Sequence, residues 1–193
     1  LIPANTVTSF NQLAVNIEEN GSRIPIPYKT PAGVIRQQQL SNNNVNVLLN
    51  EQSLSMQICN LPKTGVRGVF KTMNLDLRQY SNMQMYWHAE STKFNGDIKD
   101  DEMYAVLRLG NDLINNFYEI RIPLKVTPWK TTDATLIWPS ANEMLVSLDL
   151  LTKLKVERNN SGNVFNYFKK TLADGKEYAI LGNPNLGEVR VFF

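Results

Sequence analysis

From residue 54 onward, apolar side chains recur at every second position. Met83-Gln-Met-Tyr-Trp-His-Ala89 sets Met83, Met85, Trp87 and Ala89 against Gln84, Tyr86 and His88. That is the rhythm of a strand with one buried face. The stretch Met103–Leu109 puts Met103, Ala105, Leu107 and Leu109 on one side with Arg108 opposite. Asn116–Leu124 puts Tyr118, Ile120, Ile122 and Leu124 on one face and Glu119 and Arg121 on the other. Further strands are predicted at 54–59, 66–72, 164–169, 177–182 and 188–193. Turn-forming pairs separate them: Asn95-Gly96, Gly110-Asn111, Ser161-Gly162, Asp174-Gly175 and Asn183-Pro184.

One stretch has a helical period instead. Ser140-Ala-Asn-Glu143 has the form of a capping box. Met144, Leu145, Leu148, Leu151 and Leu154 follow at helical spacing. Lys153, Lys155 and Arg158 gather near the end, where positive charge suits the helix dipole. The pattern predicts one helix at about 141–155. Many short strands with one helix predict a mainly β fold, a two-layer β-sandwich.

Residues 1–53 read differently. Pro25, Pro27 and Pro31 enforce extended backbone around Tyr28, and Gln37-Gln-Gln39 and Asn42-Asn-Asn44 are polar runs. Val34, Ile35, Val45, Val47, Leu48 and Leu49 supply apolar grip. The expectation is a partly ordered, extended proline- and asparagine-rich arm over 1–53 and a sandwich domain over 54–193.

Composition removes function classes more than it adds them. The chain has 193 residues, and 20 basic against 18 acidic side chains leave a net charge of +2. So weak a field gives no argument for nucleic acid or an anionic membrane. No apolar run reaches the roughly 20 residues of a spanning helix. Cys59 is the only cysteine, which excludes an internal disulfide and a multi-cysteine zinc site. The chain opens on Leu1 with neither initiator methionine nor leader, which predicts a piece of a longer, exported polypeptide.

Candidate chemistry is sparse. His88 is the only histidine, and it sits in a strand with Glu90 two residues on and no nucleophile motif beside it. The acidic run 95–102 offers carboxylates for a hard cation but lacks EF-hand spacing, so a solvated turn is the simpler reading. Asn20-Gly-Ser22 and Asn159-Asn-Ser161 match the short glycosylation pattern. Trp129 and Trp138 lie beside prolines in a loop-like stretch; with Tyr28 of the proline-rich segment they are the candidate contacts for a partner or a glycan. No catalytic, metal-binding or cofactor residue is assigned.

Leu75-Asp-Leu-Arg-Gln-Tyr80 followed by Met83-Gln-Met-Tyr-Trp-His-Ala-Glu90 resembles a phrase of galactose-binding-like jelly rolls. A closer resemblance runs along the chain. It is carried by Pro31-Ala-Gly-Val-Ile-Arg36, Asn50-Glu-Gln-Ser-Leu-Ser55, Val69–Tyr80, Phe117–Trp129 and Asn183-Pro-Asn-Leu-Gly-Glu-Val-Arg190. Together these blocks are similar to the SprA/Sov family, the giant cell-surface proteins of gliding motility and type 9 secretion. The resemblance implies a soluble insertion, extracellular or periplasmic, within a very large outer-membrane translocon barrel. Its implied partners are the rest of the barrel polypeptide, a PorV-type protein, a plug protein and secreted cargo. It implies no catalytic residue. A carbohydrate-binding module anchored to surface glycans is the alternative.

Overall fold

The alternating runs pair as neighbours where their turns are shortest. A computed structural model describes residues 7–40, 46–73, 75–94, 96, 98–187 and 189–192. The chain divides into two compact units, Leu1–Gly68 with Pro128–Trp138, and Val69–Thr127 with Pro139–Phe193.

The first unit holds strand β1 (Ser9–Asn16), the one-turn helix α1 (Ile17–Asn20), strands β2 (Gln38–Leu40), β3 (Asn46–Leu48) and β4 (Gln52–Cys59), and the one-turn helix α2 (Ala134–Ile137). β1 and β4 form an antiparallel ribbon of eight residue pairs, from Ser9 opposite Cys59 to Asn16 opposite Gln52. β2 and β3 form a separate short hairpin. The register gathers Phe10, Ala14, Leu54, Met56 and Ile58 on one face of the ribbon, because paired residues share a face. The proline-rich segment packs within this unit: Ile26 and Tyr28 are buried, and the Tyr28 amide bonds back to the Asn20 carbonyl.

The second unit holds β5 (Phe70–Met73), β6 (Asn82–Tyr86), β7 (Tyr104–Asp112), β8 (Asn116–Pro123), β9 (Glu143–Ser147), helix α3 (Leu148–Asn160), β10 (Phe168–Thr171), β11 (Glu177–Leu181) and β12 (Val189–Phe192). Six strands form one sheet in the order β10-β11-β8-β7-β12-β5, each neighbouring pair antiparallel. β6 and β9 form a second, two-stranded sheet. Leu107, Leu109, Ile120, Ile122 and Ile180 of the large sheet share one core with Met144 and Val146 of β9 and Leu151 and Leu154 of α3. Met83, Met85 and Trp87 pack against the same core. The architecture is mainly β with antiparallel sheets, consistent with a β-sandwich.

Tight approach between β7 and β8 explains one glycine. A Cβ on Gly110 would meet the Phe117 Cα at 2.9 Å and collide with the Asn116 carbonyl oxygen. The register slips by one residue there, between Gly110 and Asp112.

The helix starts later than the capping-box pattern predicts. Residues 140–142 make a single 3₁₀ turn, residues 143–147 are β9, and the helix runs 148–160. Met144 and Val146 are buried while Leu145 between them is 51% exposed, the period of a strand. β6 needs a partner for its backbone groups, and 143–147 supplies it. Met144 and Leu148, four residues apart, fit both periods, so the sequence pattern alone was ambiguous.

Candidate functional site

Trp138 and Tyr28, both in the first unit, come together. Asp133 caps the turn of α2, its carboxylate accepting from the Thr135 amide and hydroxyl, each at 2.8 Å. That turn delivers Trp138, whose indole Nε1 donates to the Lys29 carbonyl at 2.7 Å. Its ring meets Tyr28 edge to face, 6.2 Å between centroids and 86° between planes. The Tyr28 hydroxyl in turn donates to Glu51, 2.7 Å from Oε1, and shares a 2.7 Å hydrogen bond with the Ser53 hydroxyl. Burial first, then the bond to Glu51, push the phenol's pKa well up.

Two of the three sequence candidates thus form one tied group, in which the polar edge of Trp138 serves an internal backbone carbonyl. Trp129 is half-buried in the turn that precedes α2. Glu51 and Ser53 were invisible as partners of Tyr28 from the sequence: they lie at the start of β4, and only the pairing with β1 fixes where β4 sits.

His88 is enclosed. Its Nε2 lies 3.0 Å from a Glu90 carboxylate oxygen and its Nδ1 3.2 Å from the Thr127 hydroxyl. With Glu90 ionised and the ring neutral, Nε2 carries the proton and Nδ1 accepts from Thr127. Thr127 is itself buried, and its amide donates to the Ala89 carbonyl at 2.8 Å. The order hydroxyl, imidazole, carboxylate is that of a nucleophilic triad, here with the hydroxyl on a buried threonine.

The acidic run is engaged locally where it is described; Asn95 and Asp97 lie outside the described residues. Asp100 accepts from the Val126 amide at 2.8 Å, Asp101 pairs with Lys125 at 2.7 Å, and Glu102 accepts from the Lys99 amide at 2.9 Å. Among the described residues no group of three or more His, Cys, Asp or Glu is placed to hold a metal ion. At the glycosylation patterns, the Asn20 side chain accepts from the Asn16 amide and the Asn159 side chain accepts from Arg158.

The outer face of the large sheet carries a charge network that alternation had assigned to solvent. Glu119 is only 6% exposed. Arg108 Nε donates to it at 2.7 Å, with Arg121 at 3.7 Å, and Arg121 and Lys169 reach Glu177 at 3.9 and 2.6 Å. Arg108 also lies over the Phe117 ring, 4.1 Å from its centroid.

Among the described residues no helix is long and apolar enough to cross a membrane. A search of curated proteins finds no match. A family model for the N-terminal part of SprA, described as motility related/secretion protein, matches residues 3–193. The match takes in both compact units, and the chain therefore belongs to the SprA N-terminal family of motility-related secretion proteins.

Proposed function

We propose that this chain is a non-catalytic structural and interaction domain of the giant outer-membrane translocon of type 9 secretion, supporting protein export and gliding motility. The family match supports the secretion and motility role. The observation that carries the interaction role is the β1–β4 ribbon. Two eight-residue strands pair with each other alone among the described residues; Leu54 on the apolar face is 52% exposed, and Leu13 on the opposite face is 60% exposed. A lone two-stranded ribbon is marginal in water and needs a third strand or a packed face to be stable. Its apolar face and open edges suit a further strand of the parent polypeptide or of an assembly partner such as a PorV-type or plug protein. The engagement of His88 by Glu90 and Thr127 supports the non-catalytic reading. The parent protein belongs at the outer membrane and cell surface on this reading.

The test is made in the parent protein, in cells that secrete and glide. Leu54→Glu with Met56→Lys places charge on the apolar face of the ribbon. Loss of cargo secretion and gliding at unchanged level of the parent protein supports the reading, as does a cross-link from a photoreactive residue at Leu54 to the barrel or a partner. Normal secretion and gliding with the charged face would overturn it.

A further inference from the structure

At one end of the large sheet, Tyr104 begins β7, Pro123 ends β8, and the 172–176 turn joins β10 to β11. Between them lies a cleft of about 530 Å³, within the size range of small-ligand sites. Two acid–base pairs line it. Lys125 Nζ is 2.7 Å from Asp101 and 3.8 Å from Asp100; Lys176 Nζ is 3.2 Å from Asp174.

Hydrogen bonds hold the backbone beneath both pairs. Buried Asn142 brackets the Lys125 peptide, accepting from its amide at 2.7 Å and donating to its carbonyl at 2.9 Å. The Asp101 amide donates to the Leu124 carbonyl at 2.9 Å. On the opposite wall the Lys176 amide donates to Asp174 at 3.2 Å, and the Leu172 amide closes the turn onto the Lys176 carbonyl at 2.8 Å. Groups fixed before a ligand arrives lose little entropy when it binds.

The remaining wall is aromatic. Tyr104 is 51% exposed, with the Arg121 guanidinium over its ring, 5.7 Å from the centroid. The charges nearly cancel, so the cleft has no preference for a strongly charged molecule. What it offers is donors beside acceptors, next to a half-exposed tyrosine. Adjacent hydroxyls match that arrangement, because each one donates to a carboxylate and accepts from an ammonium. The C–H face of a pyranose ring covers an aromatic ring, burying apolar area on both sides.

We propose that this cleft binds a neutral saccharide, with Asp101 and Asp174 accepting from its hydroxyls, Lys125 and Lys176 donating to them, and Tyr104 stacking on its ring. The site is separate in residues from the tryptophans considered above, and it does not depend on the role in secretion. A sugar bound here gives the domain a hold on surface or wall glycan.

The test uses the 193-residue chain with methyl glycosides of glucose, galactose, mannose and N-acetylglucosamine and their short β-linked oligomers. Saturation-transfer NMR reports binding, followed by titration of the chain's amide shifts. The expected result is binding of at least one neutral sugar, weakened tenfold or more by Tyr104→Ala and by Asp174→Asn, and unchanged by Trp129→Ala. The two exposed substitutions are checked for an unchanged melting temperature. A sialylated or sulfated sugar binding better than every neutral one, binding that survives Tyr104→Ala combined with Asp174→Asn, or no binding to any sugar of the panel overturns the proposal. Failure here leaves secretion and gliding unaffected, so the two readings fall separately.

Discussion

Tyr28 and Trp138 meet edge to face at 6.2 Å, with the indole N–H committed to the carbonyl of Lys29, the residue after Tyr28. The proline-rich segment is therefore fastened to a turn far along the chain through two interactions of different kinds. One is apolar and tolerant of small shifts; the other is directional.

Separating the two kinds is straightforward. Trp138→Phe keeps an aromatic ring and removes the donor, leaving the Lys29 carbonyl unpaired, at a cost of about 1 kcal/mol. Trp138→Ala removes both and costs about 3 kcal/mol, the low end for aromatic truncation because the ring is only half-buried. Urea denaturation read by a probe in residues 7–68 checks the order; equal costs for the two variants would refute it.

The Tyr28 phenol makes stability depend on pH in one direction. Its folded-state pKa stands above the ordinary value of 10.0. The folded state thus holds the proton more tightly than the unfolded chain. Its contribution is fully present below about pH 10 and is lost as the pH rises beyond that. Tyr28→Phe is less stable than the parent at pH 8 by about 1–2 kcal/mol, for the lost bonds to Glu51 and Ser53. That deficit shrinks between pH 10 and 11. Midpoints of urea unfolding across the range report it, and a constant deficit contradicts the assignment.

Glu119 is buried and Arg108 is the nearest cation to it. Arg108→Ala strands a carboxylate with only the more distant Arg121, and costs on the order of 2 kcal/mol once partial exposure of the arginine is allowed for. Replacing both, Arg108→Met with Glu119→Leu, recovers most of the loss. A double-mutant cycle with coupling above about 1 kcal/mol bears this out; additive losses contradict it.

Arg158 is 1% exposed on α3, and it bonds to a backbone carbonyl and an asparagine side chain. Its Nη1 donates to the Gly182 carbonyl at 2.7 Å, while Nε and Nη2 share the Asn159 side chain. Gly182 has φ of +63°, a conformation its lack of a side chain permits. Arg158→Lys cannot make this fork, so it fails to rescue. Both Arg158→Ala and Arg158→Lys lower the melting temperature by roughly 5–10 °C, at about 2–4 °C per kcal/mol for a chain of this size. A lysine variant melting like the parent would show that only the charge matters.

The strands of the second unit were legible because each long run buries one face. Ala105, Leu107 and Leu109 of β7 and Tyr118, Ile120 and Ile122 of β8 are all buried, as alternation predicts. Phe117 and Glu119 show where alternation stops: β8 lies inside its sheet, and long neighbouring side chains cover its second face too. The start of α3 was misread because Met144 fits helix and strand alike, and the choice rests on β6, more than fifty residues earlier. Tyr28 and Trp138 were singled out as contacts for a partner or a glycan, and nothing local states that they touch each other. Their contact is set by how the first unit closes.

That first unit is built from two pieces of chain with all of β5–β8 made in between. During synthesis the ribbon and the proline segment emerge early, while the tryptophan that locks the segment arrives only after four strands of the second unit have left the ribosome. Until then Tyr28 has its carboxylate but not its aromatic neighbour. The early half must wait, exposed to chaperones and proteases, and any nascent chain halted before Pro128 carries a first unit that cannot be finished.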